Sequence, residues 1–318
     1  MSLQSIKISV IIPCYNVSEY VMDAVNSVFI QTYSNFEIIC IDNNSTDGTY
    51  ELLSRLSKED DRIKLYKEKR KGAPFARNKG IAESSGEWLQ FLDADDILLS
   101  GKFEEQLKII EGEGSESIGF VSSECNRTYL KRKDKHGHIG KYGDDYKNLF
   151  MNSLGNTCSN LYNAECVKSI EGWNTSMTSS QETDLMFRIL KLNKRPLYLY
   201  ESLAVIRERE SGQISQQNPI KKWRTYVDVR VQIVKYLRSE KHDYWKENKD
   251  FYLNSLLSSI LVLMKYSPND WKNYIDLFDK SYSPQNMFGV SKNKTKLINA
   301  IGIKLFLYIS SLKFKLKT

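Results

Sequence analysis

The 318 residues read as an α/β protein: a largely parallel sheet with helices on both faces, followed by a helical C-terminal region. Three features point there. Short β-branched runs alternate with helical patterns four times in the first 125 residues, as successive βαβ units do. Each of the first four runs leads straight into polar or aromatic residues, where open parallel sheets keep their ligands. Beyond Asn218-Pro219 the strand signals stop and only helical patterns remain.

Taken along the chain, strands are expected over 8–12, 37–41, 63–66, 88–92 and 118–122, all rich in Val, Ile and aromatic residues. Helices are expected between them, over 19–31, 49–57, 73–84 and 102–110. In the first of these, Val21, Ala24, Val25, Val28 and Phe29 recur at the spacing of one helix face. From 126 to 209 the pattern loosens into hairpin-like and loop segments, with a helix over 182–192 and strands over 197–200 and 203–206. His136 and His138 lie in the stretch LKRKDKHGHIGKYG, which reads as an exposed hairpin and not as a metal pair. Further helices are expected over 221–237, 244–266, 270–278 and from 296 onward, the stretch 251–264 being apolar enough for a buried helix. The expected division is a domain over 1–218, with halves 1–125 and 126–218, and a helical region over 219–318.

With 41% hydrophobic and 27% charged residues, the composition is that of a globular protein. The five cysteines (Cys14, Cys40, Cys125, Cys158, Cys166) form no CxxC pair, so reduced, buried thiols and a cytoplasmic setting are expected. The opening MSLQSIKISVIIP lacks the organisation of a signal peptide, and no run of about 18 apolar residues predicts a spanning helix. No GxGxxG follows the first strand and no GxxxxGK[ST] occurs, which argues against a dinucleotide-dependent dehydrogenase and a P-loop NTPase.

The chemistry sits at the strand ends. They carry Pro13-Cys14-Tyr15-Asn16, then the run from Asp42 to Thr49, then the run from Lys71 to Gly80, then Asp93-Ala94-Asp95-Asp96. Singly, most of these are ordinary turn and capping material. The last is different, because three carboxylates within four residues repel one another unless a cation or donors compensate. Mg²⁺ and Mn²⁺ are commonly held by one or two carboxylates together with substrate phosphates.

Together, SVIIPCYN, IDNNSTDGT, the Gly72…ARNKG segment and FLDADD resemble the family 2 glycosyltransferases in order, spacing and strand context over roughly residues 6–210. The resemblance implies a GT-A fold, with a half that binds a nucleotide sugar followed by a half that binds the acceptor. It implies that Tyr15 stacks on the donor base beside Pro13 and Asn16, and that Asp42, Asn43, Asn44 and Ser45 line base and ribose. Gly72 and Arg77 would lie near ribose and phosphates, Asp93 and Ala94 would approach the ribose, and Asp95 would hold Mn²⁺ or Mg²⁺. The segment QETDLMFR puts Glu182 at the family's catalytic acidic position, with Gln181 in place of a preceding acid. Asp184 and Arg188, four apart on a helix, read as a structural pair. Arg207 and Arg209 would supply positive charge in a loop over the diphosphate, and Trp173 would face the acceptor or serve as a buried anchor. The implied reaction is inverting transfer from a nucleoside-diphosphate sugar, with uridine the expected base, to a glycan or lipid-linked acceptor in surface polysaccharide synthesis. A donor-binding protein without catalysis is the competing reading.

Charge completes the picture. The 46 Lys and Arg against 39 Asp and Glu give +7, yet residues 281–318 hold seven lysines and no Asp, Glu or Arg. Residues 1–215 carry 27 basic and 31 acidic groups, which gives no support to nucleic-acid binding. In the tail, Leu297, Ile301, Leu305, Tyr308, Ile309, Leu312 and Leu316 follow helical spacing, with lysines on another face. Peripheral membrane contact through 296–318 is expected from this pattern. Docking on its own domain, or on a second subunit in a homodimer, is the alternative.

Overall fold

The computed structural model describes residues 5–129, 132–207, 218–279, 282–284, 287 and 289–315. The chain divides into two compact units, Met1–Ser211 and Gly212–Thr318.

The first unit is built on one mixed sheet. Its strands are β1 (Ile8–Cys14), β2 (Phe36–Asp42), β3 (Ile63–Lys67), β4 (Trp88–Phe91), β5 (Ile97–Leu98), β6 (Ile118–Tyr129), β7 (Arg132–Gly137), β8 (Leu161–Asn163) and β9 (Arg195–Arg207). They run in the order β3-β2-β1-β4-β8-β6-β9-β5, with β7 paired to β6. The block β3-β2-β1-β4 is parallel throughout, as is the β6–β9 pair. The pairs β4–β8, β6–β8, β6–β7 and β5–β9 are antiparallel. The helices are α1 (Val21–Phe29), α2 (Thr49–Glu59), α3 (Ala73–Glu83), α4 (Lys102–Glu113), α5 (Asp145–Phe150), α6 (Ala164–Ser169) and α7 (Gln181–Lys191).

Strand β1 is buried on both faces, which explains why it reads as an unbroken apolar run. Ile8, Val10 and Ile12 join Val21, Ala24, Val25 and Val28 of α1 in one core cluster. Ile11 points to the other face, where Gly80 of α3 comes so close that an added Cβ would lie 2.3 Å from its Cγ2. Because β2 lies on one side of β1 and β4 on the other, the chain reverses direction across the sheet there. The loops after β1 and β4 therefore part and leave a crevice at the strand ends.

One expectation changes here and another holds. The runs 197–200 and 203–206 are one strand, β9, whose pairing with β6 shifts register three times instead of breaking. The basic, Gly-rich stretch around His136 does form a hairpin, β6–β7, and exposed His138 contacts Glu124 at 3.2 Å. All five cysteines are buried and free.

In the second unit, α8 (Pro219–Glu240) packs against α9 (His242–Leu263), and Leu253, Leu256, Leu257, Ile260 and Leu263 of α9 are buried. The expected helix over 270–278 is two short 3₁₀ turns. The tail is not one helix but two, α10 (Lys292–Ile301) and α11 (Ile303–Lys315), bent by 119°. Gly302 between them takes a positive φ of 78° and its N–H closes on the Ile298 carbonyl, a glycine stop that side-chain spacing does not reveal. Among the described residues no single helix is long and apolar enough to cross a membrane.

The parallel block is tied at the end remote from the crevice by Glu37. Its buried carboxylate accepts from Ser9 Oγ (2.6 Å), the Ser85 N–H (2.8 Å) and Ser85 Oγ (2.8 Å), and pairs with Lys64 (2.7 Å) and Lys7 (3.2 Å). Burial alone would raise its pKa, but the bonds from Lys64, Ser9 and Ser85 outweigh burial and hold it at about 2. In the unfolded chain it titrates near 4.3, so its stabilisation is complete above that pH and is lost as pH falls towards 2. Glu37→Gln is expected to destabilise the protein at pH 7 by on the order of 2 kcal/mol and to flatten the acid loss of stability between about pH 4.5 and 2, read from urea midpoints.

Candidate active site

The first two strand ends are laced together. Asn16, in the left-handed region at φ 50°, accepts the Thr46 N–H on Oδ1 (2.8 Å) and donates its own N–H to Ser45 Oγ (3.1 Å). The Val17 N–H donates to Thr49 Oγ1 (2.9 Å) and the Ser18 N–H to Asp47 Oδ2 (3.0 Å). Burial would raise the Asp47 pKa, but its bonds from Thr49 and Ser18 hold it at about 2. Between these fixed loops Tyr15 is 53% exposed, an aromatic face at the mouth of the crevice beside partly exposed Pro13.

Asp42 is buried at the end of β2, with Oδ1 accepting the Ser45 N–H at 3.3 Å. Asn43 is turned to another task. Its Nδ2 donates to the carbonyls of Glu68 and Arg70 (2.7 Å each) and its Oδ1 accepts the Gly72 N–H (2.8 Å). A carboxylate could not make the first two bonds, so an amide suits this loop and an acid would not. Both amide hydrogens are spent, leaving one lone pair on Oδ1. Asn44 braces the same loop through the carbonyls of Glu68 and Lys69 (3.2 and 3.0 Å). Gly72 adopts φ 132° as it leads into α3, a conformation other residues resist.

On α3, Arg77 is 5% exposed. One terminal nitrogen donates to Asp93 Oδ1 (2.6 Å), the other to Gln181 Oε1 (3.0 Å), and the guanidinium lies 4.5 Å over the Trp173 ring. Asn78, the next residue, clasps the Trp173 backbone: its Nδ2 donates to the carbonyl and its Oδ1 accepts the N–H, both at 2.8 Å. Trp173 itself is 1% exposed and meets Phe91 edge to face at 5.0 Å. It is thus the buried anchor and not an acceptor-facing ring, because Arg77 covers one face and β4 supports its edge.

Beyond β4, Ala94 is buried, while the side chains of Asp93 and Asp95 belong to partly exposed residues. Asp96 is buried. Burial first, and then the Asp93 and Asp95 carboxylates, push its carboxyl well above the usual range, and the Arg207 N–H donates to it at 3.1 Å. Arg207 also donates through Nε to the Asp95 carbonyl and through a terminal nitrogen to Asp23 of α1 (2.7 Å). It therefore straps the acidic turn to α1, at the position expected to supply positive charge over a diphosphate. Arg209 lies outside the described residues.

Glu182 is half-buried in the first turn of α7, and its Oε1 accepts the Thr157 hydroxyl at 2.6 Å. Asp184 and Arg188 form the expected i, i+4 pair (2.8 Å), and Arg188 also donates to the Ile170 carbonyl at 2.7 Å. Sequence reasoning passed over Gln90, Asn156 and Thr157. Gln90, wholly buried on β4, donates to the Cys158 carbonyl at 3.0 Å. Asn156 folds an Asx turn by accepting the Cys158 and Ser159 N–H groups at 3.2 Å each. The only signal was a polar, Gly-containing run, NSLGNTCSN, between two elements.

Residues 9–163 match the family model described as "Glycosyl transferase family 2". They form a family 2 glycosyltransferase domain. A Bacillus subtilis protein named for teichuronic acid biosynthesis, a glycosyltransferase, is 41% identical over 151 residues, 46% of this chain and 60% of that one. The "GalNAc(5)-diNAcBac-PP-undecaprenol beta-1,3-glucosyltransferase" of Campylobacter jejuni is 31% identical over 164 residues, 46% of this chain and 52% of its own length. The chain spans from about one sixth to three fifths of the curated relatives it matches. The crystal structure of Staphylococcus aureus TarS residues 1–349 with UDP-GlcNAc superposes with a TM-score of 0.64 at 17% identity, covering 85% of this chain and 76% of that one. The likeness establishes the GT-A fold.

In this glycosyltransferase domain one guanidinium joins the second residue after β4 to the first residue of the helix that carries Glu182. Arg77→Ala is expected to cost about 2–4 kcal/mol in urea unfolding, since it empties a buried site and strands the Gln181 oxygen. Arg77→Lys should recover less than half of that, because an ammonium cannot span Asp93 and Gln181 together.

Proposed function

We propose that the chain transfers a sugar, with inversion, from a nucleoside-diphosphate sugar to a hydroxyl of a glycan or lipid-linked acceptor in bacterial surface polysaccharide synthesis. The observation that carries this is the double grip of Arg77, 2.6 Å from Asp93 and 3.0 Å from Gln181, which ties the strand-end acidic turn to the first residue of the helix that carries Glu182. The kinship with a teichuronic acid protein and with an enzyme named for an undecaprenol-linked substrate supports the substrate class.

The donor base stacks on Tyr15 and donates an N–H to Asp42, the buried carboxylate at the crevice, while Ser45 and Asn16 shape the ribose end. Uracil offers such a donor at N3, and the TarS structure of like fold was solved with UDP-GlcNAc. Asn43 contributes by holding the 68–72 loop and not by reading the base through its amide hydrogens.

Among the described residues no group of three or more His, Cys, Asp or Glu is placed to hold a metal ion alone. The donor set at the strand end fits a hard cation that shares its shell with substrate: Asp95 would hold Mn²⁺ or Mg²⁺, with Asp93 beside it, and diphosphate oxygens and water would complete the coordination. A cation there offsets the charge that builds on the departing diphosphate. Glu182 takes the proton from the acceptor hydroxyl as its oxygen bonds to the anomeric carbon and the bond to the diphosphate oxygen breaks. The proton ends on the carboxylate and the electron pair on the leaving diphosphate.

The exposed side chains of Leu305, Tyr308, Ile309 and Leu312 make an apolar stripe on α11 beside Lys304, Lys313 and Lys315, which suits the surface of an anionic bilayer on the cytoplasmic side. A lipid-linked acceptor would be met there.

Glu182→Gln is expected to lower kcat for nucleotide-sugar turnover by about 10²–10⁴ with nucleotide affinity unchanged, measured by diphosphate release and calorimetry. Asp95→Ala should abolish the Mn²⁺-dependent part of UDP binding in the same titration. Vesicle co-sedimentation tests the tail: in the full chain, Leu305→Glu with Ile309→Glu should reduce binding to phosphatidylglycerol vesicles to the level seen with phosphatidylcholine.

A further inference from the structure

The geometry points to Thr157 as the residue that positions Glu182, by committing one carboxylate oxygen so that the other receives the acceptor proton. This rests on the transfer reaction proposed above and names a part of it that the family motifs do not contain. The Thr157 hydroxyl donates to Glu182 Oε1 at 2.6 Å, and Thr157 is 3% exposed, so water does not compete for the bond.

The turn that carries the hydroxyl is held from several elements. Its turn is folded by Asn156 and preceded by Gly155, whose positive φ of 74° and close approach to Asn160 admit no side chain. An added Cβ at Gly155 would lie 2.0 Å from Asn160 Oδ1. From β4, Gln90 donates to the Cys158 carbonyl at 3.0 Å. From α4 and β6, Lys102, Gln106 and Ser123 all donate to the Ser159 carbonyl, at 2.9, 2.9 and 2.7 Å. On the helix side, Thr183 donates to Asn152 Oδ1 at 3.0 Å, so the first turn of α7 is joined to the same segment twice. A flexible glutamate, one methylene longer than aspartate, has more rotamers to lose. The buried hydroxyl removes them.

In the step itself the acceptor O–H breaks, its proton passes to Oε2 of Glu182, the new C–O bond forms at the anomeric carbon and the diphosphate leaves with the electron pair. Oε1 stays bonded to Thr157 throughout. Thr157 touches no reacting atom and acts through Glu182 alone.

The test uses the full chain with Mn²⁺ and four probes, UDP-GlcNAc, UDP-glucose, UDP-galactose and GDP-mannose, following diphosphate release. With whichever donor the wild type turns over, Thr157→Val is expected to lower kcat about ten- to hundredfold while KM for the donor stays within twofold. Thr157→Ser, which keeps the hydroxyl, should return kcat to within threefold of wild type. Wild-type kcat in Thr157→Val, an equal loss in the Ser and Val variants, or a loss carried by KM would each overturn the assignment. If the wild type turns over none of the four, the proposed reaction is in question, and the pairing is still judged by a thermal double-mutant cycle. Thr157→Val and Glu182→Gln should then shift Tm non-additively, whereas additive shifts within about 1 °C overturn it.

Discussion

A buried guanidinium needs partners for its charge and its donors, and the site is organised around how this chain answers the two terminal nitrogens and the face of the Arg77 guanidinium. Taking it out of water is costly unless its donors are met. Asp93 supplies the charge, Gln181 an amide oxygen and Trp173 an aromatic face. Each answer comes from a different part of the chain: the end of β4, the start of α7 and the loop before it. Meeting the needs of one side chain therefore fixes three segments relative to one another. Gln181 is informative here. With an acid in its place, Arg77 would stand between two carboxylates. The neutral amide leaves Asp93 as the only charged partner of Arg77 among the described contacts.

Strand β4 acts at two points at once. Gln90 reaches sideways to the turn that carries Thr157, and two residues past the strand Asp93 reaches to Arg77. The strand is short, only Trp88–Phe91, and all four residues are buried, so neither grip can drift without disturbing the sheet. Support for Glu182 and support for the acidic turn thus have a common origin. Glu37 plays the matching part at the far end, where it keeps β1, β2 and β3 in register through Ser9 and Lys64.

Sequence pattern made the parallel block and its strand-end residues legible, because burial on both faces forces long apolar runs and ligand-facing loops force polar ones. Trp173 and Arg207 were legible as residues but not in direction. Trp173 turned out to be packed under Arg77, and Arg207 to strap the acidic turn to α1. Neither orientation follows from spacing, since each is set by a partner about a hundred positions away or more. Thr157 was invisible for a similar reason: a hydroxyl in a polar run has no periodicity, and its role exists only once α7 is docked. The break at Gly302 was missed because side-chain spacing continues across it while the backbone does not.

Charge is divided along the same lines as structure. The domain that carries the acidic turn is slightly negative, and the crowding of Asp93, Asp95 and Asp96 is eased by the Arg77 guanidinium on Asp93, by the Arg207 backbone N–H on Asp96, and by burial and its neighbours, which push Asp96 towards its neutral form. A phosphate-bearing donor approaching this turn would meet repulsion if those charges were unanswered. Arg77 and Arg207 answer them from below, through Asp93 and through the backbone of the turn, and both do so as fixed parts of the scaffold. Neither is then a mobile cation free to leave with the diphosphate. In the proposed reaction the charge needed at the moment of bond breaking would come from a group that binds with the donor, and Asp95, partly exposed on the turn, is the carboxylate proposed to hold it.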